Sequence, residues 1–276
     1  MNRTMTLMVV LGVAVVATCA GAQENRIRLI MRGDDMGVAH AANEACIKAY
    51  REGIVRSVEM IVPGQWFLEA AKMCDENPGL DVGVHLCLTS EWEVCKWRPL
   101  TGGKSIVDGD GYFWPMTSRL LDARPKIEEV EAELRAQIEM ARKHIKNVTH
   151  VSAHMGTPLA TAELRKLAQR LAEEYKLGLE CPAAKSAGAF GRDAKTPEAK
   201  EAALLGILEK LGPGLYVFIE HPGLDVGEMR AMGHKGYEDV AADRDGVTKA
   251  FTSEKVKEVI KRRGIALISY AQAQGR

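Results

Sequence analysis

Short apolar runs alternate with longer amphipathic ones along most of this 276-residue chain. The runs at 28–31, 57–62, 82–88, 149–153, 178–181, 215–219 and 265–270 are too short for helices and rich in Val, Ile, Leu and Met, so they predict strands. Between them, 39–52, 67–76, 126–145, 161–175, 197–211 and 253–263 carry Ala, Glu, Lys and Leu with apolar residues near helical spacing, and predict helices. Pro63-Gly64, Pro78-Gly79, Gly212-Pro213-Gly214 and Gly264 supply turns and helix stops. This alternation is the mark of repeated βα units, hence an α/β fold on a mostly parallel sheet. Two Gly-rich stretches, 89–123 and 223–245, break the rhythm after a strand, where α/β barrels build their active-site loops.

The first residues stand outside this pattern. Arg3 precedes an apolar run at 7–17, shorter than the roughly 20 residues of a membrane span, and Ala20-Gly21-Ala22 offers small residues for cleavage. Residues 1–22 therefore read as a secretory signal, with an uncleaved anchor as the alternative. Lipid attachment at Cys19 is disfavoured, because Thr18 stands where a smaller residue is normal. The expected location is periplasmic or extracellular. The remainder, 23–276, suits one α/β barrel or two small domains by length, and one domain is the simpler reading because no linker or repeat divides it.

Acidic and basic residues number 37 each, which removes any electrostatic case for nucleic acid. Cys46, Cys74, Cys87, Cys95 and Cys181 are odd in number and scattered, so they are no disulfide framework and no paired zinc motif. One bridge through Cys87 or Cys95 stays open in an oxidising compartment.

Candidate chemistry gathers at strand ends. The first strand runs into Arg32-Gly33-Asp34-Asp35-Met36-Gly37, the third ends at His85, and the fourth carries His150 and ends at His154. Carboxylates with two or three imidazoles form the ligand set of an open divalent-metal site. Neighbouring residues at a strand end point in different directions, so one of Asp34 and Asp35 could bind metal while the other serves as a base. The competing reading is that the pair caps the following helix. His85 and His154 could each be half-buried packing residues, and their shared position at strand ends is what argues otherwise. A fourth strand end, Glu220-His221-Pro222-Gly223, offers His221 as a general acid for a departing amine, or simply as a turn histidine. Trp92, Trp97, Tyr112, Phe113 and Trp114 crowd the first long loop, either as a sugar-stacking wall or as a lid with its own small core.

Taken in order, Arg32-Gly33-Asp34-Asp35-Met36-Gly37, Gly83-Val84-His85-Leu86, Asp108-Gly109-Asp110-Gly111-Tyr112-Phe113, Thr149-His150-Val151-Ser152-Ala153-His154 and His221-Pro222-Gly223 resemble the motifs of YdjC/ChbG-type carbohydrate deacetylases. The resemblance implies a distorted, TIM-barrel-like (β/α) barrel with about seven parallel strands. It implies metal-dependent removal of acetyl groups from N-acetylated amino sugars or chitooligosaccharides, with release of acetate. By motif, Asp35, His85 and His154 would bind one divalent ion, zinc or magnesium, Asp34 would act as base and His221 as acid or donor. Arg32, His150, Glu220, Trp92, Tyr112 and Trp114 would contact substrate or support the ligands. The family commonly has Asp-Ser before the second metal histidine, where this chain has Ser152-Ala153, which predicts altered support for His154 or His150. Hydrolysis of another amide or ester, a carbohydrate-binding protein with a degenerate site, and a homodimer are the readings left open.

Overall fold

The computed structural model describes residues 26–191 and 193–275, so the expected signal at 1–22 lies outside the described residues. Among the described residues, eight strands form one parallel sheet: β1 (Ile27–Met36), β2 (Ser57–Met60), β3 (Asp81–Leu86), β4 (Val148–Ala153), β5 (Gly178–Leu179), β6 (Lys185–Ser186), β7 (Gly214–Glu220) and β8 (Ala266–Ile268). Their order is β5-β4-β3-β2-β1-β7-β6, with β8 pairing to the first half of β1. This is the expected distorted (β/α) barrel, a curled sheet of seven strands in line with an eighth laid against its centre.

Helices cover the outer face because each strand presents half of its apolar residues there. Leu29, Met31, Val58, Val82, Val84 and Val151 join the main core with helical residues such as Ala42, Cys46, Leu134 and Ile138. A second, small cluster of Ile30, Leu215 and Tyr270 fills one end of the curl. The outer helices are α1 (His40–Arg51), α2 (Phe67–Asp75), α3 (Thr117–Asp122), α4 (Ile127–His144), α5 (Ala162–Glu174), α6 (Pro197–Lys210), α7 (Gly227–Arg230), α8 (Val240–Thr252) and α9 (Glu254–Arg262), and a last turn, α10 (Tyr270–Ala273), follows β8.

Three departures from the pattern reading matter for the site. The stretch expected as a second long loop ends in α8, a helix hidden from pattern reading by Asp, Arg and a mid-helix Gly246. The last strand stops at Ile268 rather than 270, because Ser269 and Gln272 form a capping box that starts α10. That turn sends Tyr270 into the curl, where its ring stacks on His150 at 4.2 Å and its hydroxyl accepts from Arg32 Nη1 at 3.1 Å. Finally, β6 is a two-residue strand with no apolar run to announce it. The five cysteines named above are all free thiols, so the disulfide left open through Cys87 or Cys95 does not form.

Register explains the interior. Glu59 pairs with Gly83, and Gly83 with His150, so the three lie in one row across β2, β3 and β4. The middle position has no side chain, and Glu59 therefore reaches over it to His150, with Oε1 2.6 Å from Nε2. A Cβ at Gly83 would collide with both the Glu59 carboxylate and the His150 ring. Gly83→Ala should accordingly destabilise the fold by about 1–3 kcal/mol, the range for overpacking a filled interior. An unchanged denaturation midpoint would show that the row is not packed in this way.

Candidate active site

Asp35 is where the site begins. It adopts φ 66°, a left-handed conformation tolerated by Asp more readily than by most residues, and this breaks the alternation of β1. Asp34 and Asp35 consequently turn into the same buried cluster rather than apart: His85 Nε2 lies 3.6 Å from Asp34 Oδ2 and 3.8 Å from Asp35 Oδ1. Neither carboxylate caps the next helix. The first amides of α1, at His40 and Ala41, donate instead to Glu228 at 3.2 and 3.0 Å.

The three candidate ligands converge. His154 Nδ1 is 3.4 Å from Asp35 Oδ1, and the ligand atoms of Asp35, His85 and His154 all lie within 4.8 Å of one another, the one such group among the described residues. Asp35 Oδ1, the oxygen both imidazoles face, is buried without a hydrogen-bond partner. Buried polar atoms are rarely left unpaired, and an unpaired carboxylate oxygen between two imidazole nitrogens suits a cation. Asp35 Oδ2, by contrast, accepts from Arg244 Nη2 at 2.8 Å and has His221 Nε2 at 3.8 Å.

Each imidazole is backed on its far side, as metal-binding histidines usually are. His85 Nδ1 is 2.7 Å from Ser152 Oγ, whose hydroxyl donates in turn to Glu59. His154 Nε2 is 3.0 Å from Glu91. Ser152 thus supports His85, because its strand pairs it opposite His85, while His154 and His150, for which the motif comparison predicts altered support, are backed by Glu91 and Glu59. The loop after β3 is tied down by α4: Gln137 accepts from Cys87 N at 2.9 Å and donates to Cys87 O at 2.8 Å.

The other expected site residues divide. Arg32 grips Asp34 with two bonds, Nε to Oδ1 at 2.5 Å and Nη2 to Oδ2 at 2.8 Å. His150 stays in the interior with Glu59 and Tyr270. Trp92 is buried, 5.1 Å beneath the Arg244 guanidinium, and reaches the edge of a cavity of about 540 Å³ also lined by Glu91, Pro115, Met116 and Met155. Tyr112 instead lies under Arg98 at 4.1 Å, and Trp114 packs against the main core, so neither lines that cavity. Glu220 belongs to a different cavity, of about 290 Å³, with Phe190, Lys200 and Asp243. Phe218, two residues earlier, packs with the outer core, and Glu220 continues that face.

Charge follows burial and neighbours. Burial opposes the charged form of Asp35, but His221, Arg244 and His154 outweigh it and hold its carboxyl well below the usual carboxylate range. Burial, with His154 and Arg32 nearby, keeps His85 neutral, well below the ordinary histidine value. His154 also loses solvation on burial, yet Glu91, Cys87 and Asp35 raise it well above the ordinary value.

Residues 28–262 match the family described as YdjC-like protein. The chain belongs to the YdjC-like family. A carbohydrate deacetylase of Thermus thermophilus is 34% identical over 226 residues, which span 74% of this chain and 80% of that protein. Another, from Brevibacillus brevis, is 28% identical over 259 residues, or 89% and 99%. The crystal structure of an Enterococcus faecalis protein named for cellobiose-phosphate cleavage superposes with a TM-score of 0.74 at 26% identity, covering 90% of this chain and 98% of that one.

Three groups of this YdjC-like site escape a sequence reading. Glu91 sits in the loop-rich 89–123 stretch, and Arg244 on a helix that pattern reading leaves as loop. Glu59 did carry a signal, a charge inside an apolar run that should be buried on both faces.

Because His154 gains its proton in the folded chain, that charge stabilises the fold below about pH 6.5, and the contribution is lost as pH rises through its raised value. A divalent cation would displace the same proton. Zinc titration near neutral pH should therefore release one proton and weaken about tenfold per unit fall in pH, read by calorimetry in buffers of different ionisation enthalpy. Binding without proton release would remove His154 from the ligand set.

Proposed function

We propose that this YdjC-like chain is a metal-dependent carbohydrate deacetylase that releases acetate from N-acetylated amino sugars or chitooligosaccharides. The observation that carries the reading is the unpaired, buried Asp35 Oδ1 facing two imidazoles, with a second carboxylate, Asp34, alongside. Two relatives of this chain, each matched over at least 80% of its length, are named carbohydrate deacetylases, which supports the choice of reaction. Two imidazoles and one carboxylate favour zinc over magnesium, which prefers oxygen donors.

A divalent ion held by Asp35, His85 and His154 would polarise an acetamide carbonyl and make a water nucleophilic near neutral pH. The chain's own groups perform the proton transfers. Asp34, aimed by the paired donors of Arg32, takes the proton of the attacking water. His221 stands at the rim of the cluster, 40% exposed, where it can pass a proton to the departing amine. Arg244 keeps Asp35 Oδ2 occupied and so leaves Oδ1 to the cation. The 540 Å³ cavity meets the site at Glu91, and Met116 and Met155 give it an exposed apolar wall for a sugar face. Export directed by residues 1–22 is part of the same proposal.

Asp34→Asn should retain zinc but lose turnover by about 10²–10⁴-fold, the usual contribution of a general base, whereas His85→Ala and His154→Ala should lose both. Metal analysis together with acetate release from acetylated chitooligosaccharides separates these outcomes, and loss of zinc from Asp34→Asn would reverse the two aspartate roles.

His221→Ala should slow amide hydrolysis far more than hydrolysis of an activated acetyl ester, whose leaving group needs no proton. Equal slowing would make His221 a substrate-holding group, and no slowing would return it to the turn. An enzyme that releases acetate from simple esters but from no acetylated sugar would contradict the substrate assignment.

A further inference from the structure

Glu59 lies outside the metal-facing set, is fully buried, and yet anchors a chain of polar contacts that ends on one of the ligands. Its Oε1 is 2.6 Å from His150 Nε2, and Arg32 Nε is 3.6 Å from the same oxygen. Its Oε2 accepts the Ser152 hydroxyl, and Ser152 Oγ is 2.7 Å from His85 Nδ1. The direction of these bonds is forced. An ionised carboxylate only accepts, so the single Ser152 hydrogen goes to Glu59. Ser152 is left with lone pairs for His85, and His85 must donate from Nδ1. A neutral imidazole carries one N–H, so its Nε2 is then a bare lone pair. Nε2 is the atom that faces Asp35 Oδ1 at 3.8 Å.

His150 and Arg32 keep Glu59 an acceptor. Thr149 Oγ1 donates to Asp81 Oδ1 at 2.6 Å and lies 2.8 Å from His150 Nδ1, so both His150 nitrogens face acceptors. The resulting imidazolium and the guanidinium flank the Glu59 carboxylate in a fully buried site.

We infer that Glu59 is a positioning residue: through Ser152, its carboxylate fixes His85 as the Nδ1–H tautomer and presents the Nε2 lone pair to the metal position. An isolated histidine prefers the opposite tautomer, which would put a hydrogen where the cation belongs. The inference rests on the metal reading above for its purpose, but the tautomer is a property of the metal-free protein.

The test compares wild type, Ser152→Ala, Ser152→Thr and Glu59→Gln. Ser152→Ala cuts the chain while leaving Glu59 paired with His150 and Arg32, so it is the variant expected to stay folded. Ring-nitrogen NMR of the metal-free wild type should show His85 with a protonated Nδ1 and a bare Nε2. Ser152→Ala should move His85 towards the Nε2–H form and weaken zinc binding about 10–100-fold, the usual cost of losing such support. Ser152→Thr, which keeps a hydroxyl, should restore both. Glu59→Gln, whose amide can donate and reverse the chain, should move the tautomer as Ser152→Ala does. A purely structural role would lower the unfolding temperature without moving the tautomer, and that result would overturn the inference. So would an Nε2–H His85 in the wild type. If wild type takes up no zinc, the metal reading fails and with it the purpose of the lock, while the ring spectra still decide whether Glu59 sets the tautomer.

Discussion

Charge buried inside the curl is the constraint on which the rest of this structure depends. Arg32, Asp34, Glu59 and His150 are each 3% exposed or less, and an unpaired ion in such a place costs several kcal/mol even after relaxation. The interior is arranged so that every one of them has a partner. Arg32 spans Asp34 and the Tyr270 hydroxyl, with Glu59 beside it, and Glu59 closes onto His150. The fold adapts to these pairings. Gly83 supplies the gap that lets Glu59 cross a strand, and α10 begins where it does so that Tyr270 can cover His150.

A network so fully paired also makes a rigid platform for the two aspartates. Asp34 is held from below by Arg32, while Asp35, kinked out of the strand by its left-handed backbone, is held from the side by Arg244. One oxygen of Asp35 is left over. The two imidazoles that face it differ: burial, with His154 and Arg32 nearby, holds His85 well below the ordinary histidine value, whereas burial of His154 is outweighed by Glu91, Cys87 and Asp35, which raise it well above that value. The raised His154, beside Arg244 and His221, contributes positive charge next to Asp35, and a cation bound as proposed would take the place of the His154 proton.

The outer elements act on this centre at one remove. Gln137 on α4 clamps the backbone just beyond His85, and Glu133 on the same helix accepts from Leu100 N and Thr101 N at 3.1 and 2.9 Å, fastening the long loop that bears Glu91 and Trp92. These buried polar residues on an otherwise apolar helix face link the loop conformation to the sheet, and membership of the YdjC-like family extends through this region, from residue 28 to 262.

The amino-acid pattern by itself determined the βα alternation and the extent of the six helices it marks, because apolar spacing reflects burial directly and burial is what these helices share. It also placed Asp34, Asp35, His85, His154 and His221 at strand ends, where parallel strands in register bring them to one mouth. Tertiary structure decided what spacing cannot express. The φ of Asp35 turned two carboxylates the same way, the pairing of His85 with Ser152 selected which imidazole that serine supports, and the row through Gly83 brought Glu59 to His150. Glu91, Arg244 and Glu59 come from a loop, a helix and another strand, and Tyr112, Trp114 and Glu220 were led away from the cavity beside Glu91 by the same packing. Contacts between residues tens to hundreds of positions apart depend on register and backbone geometry, and local apolar periodicity records neither.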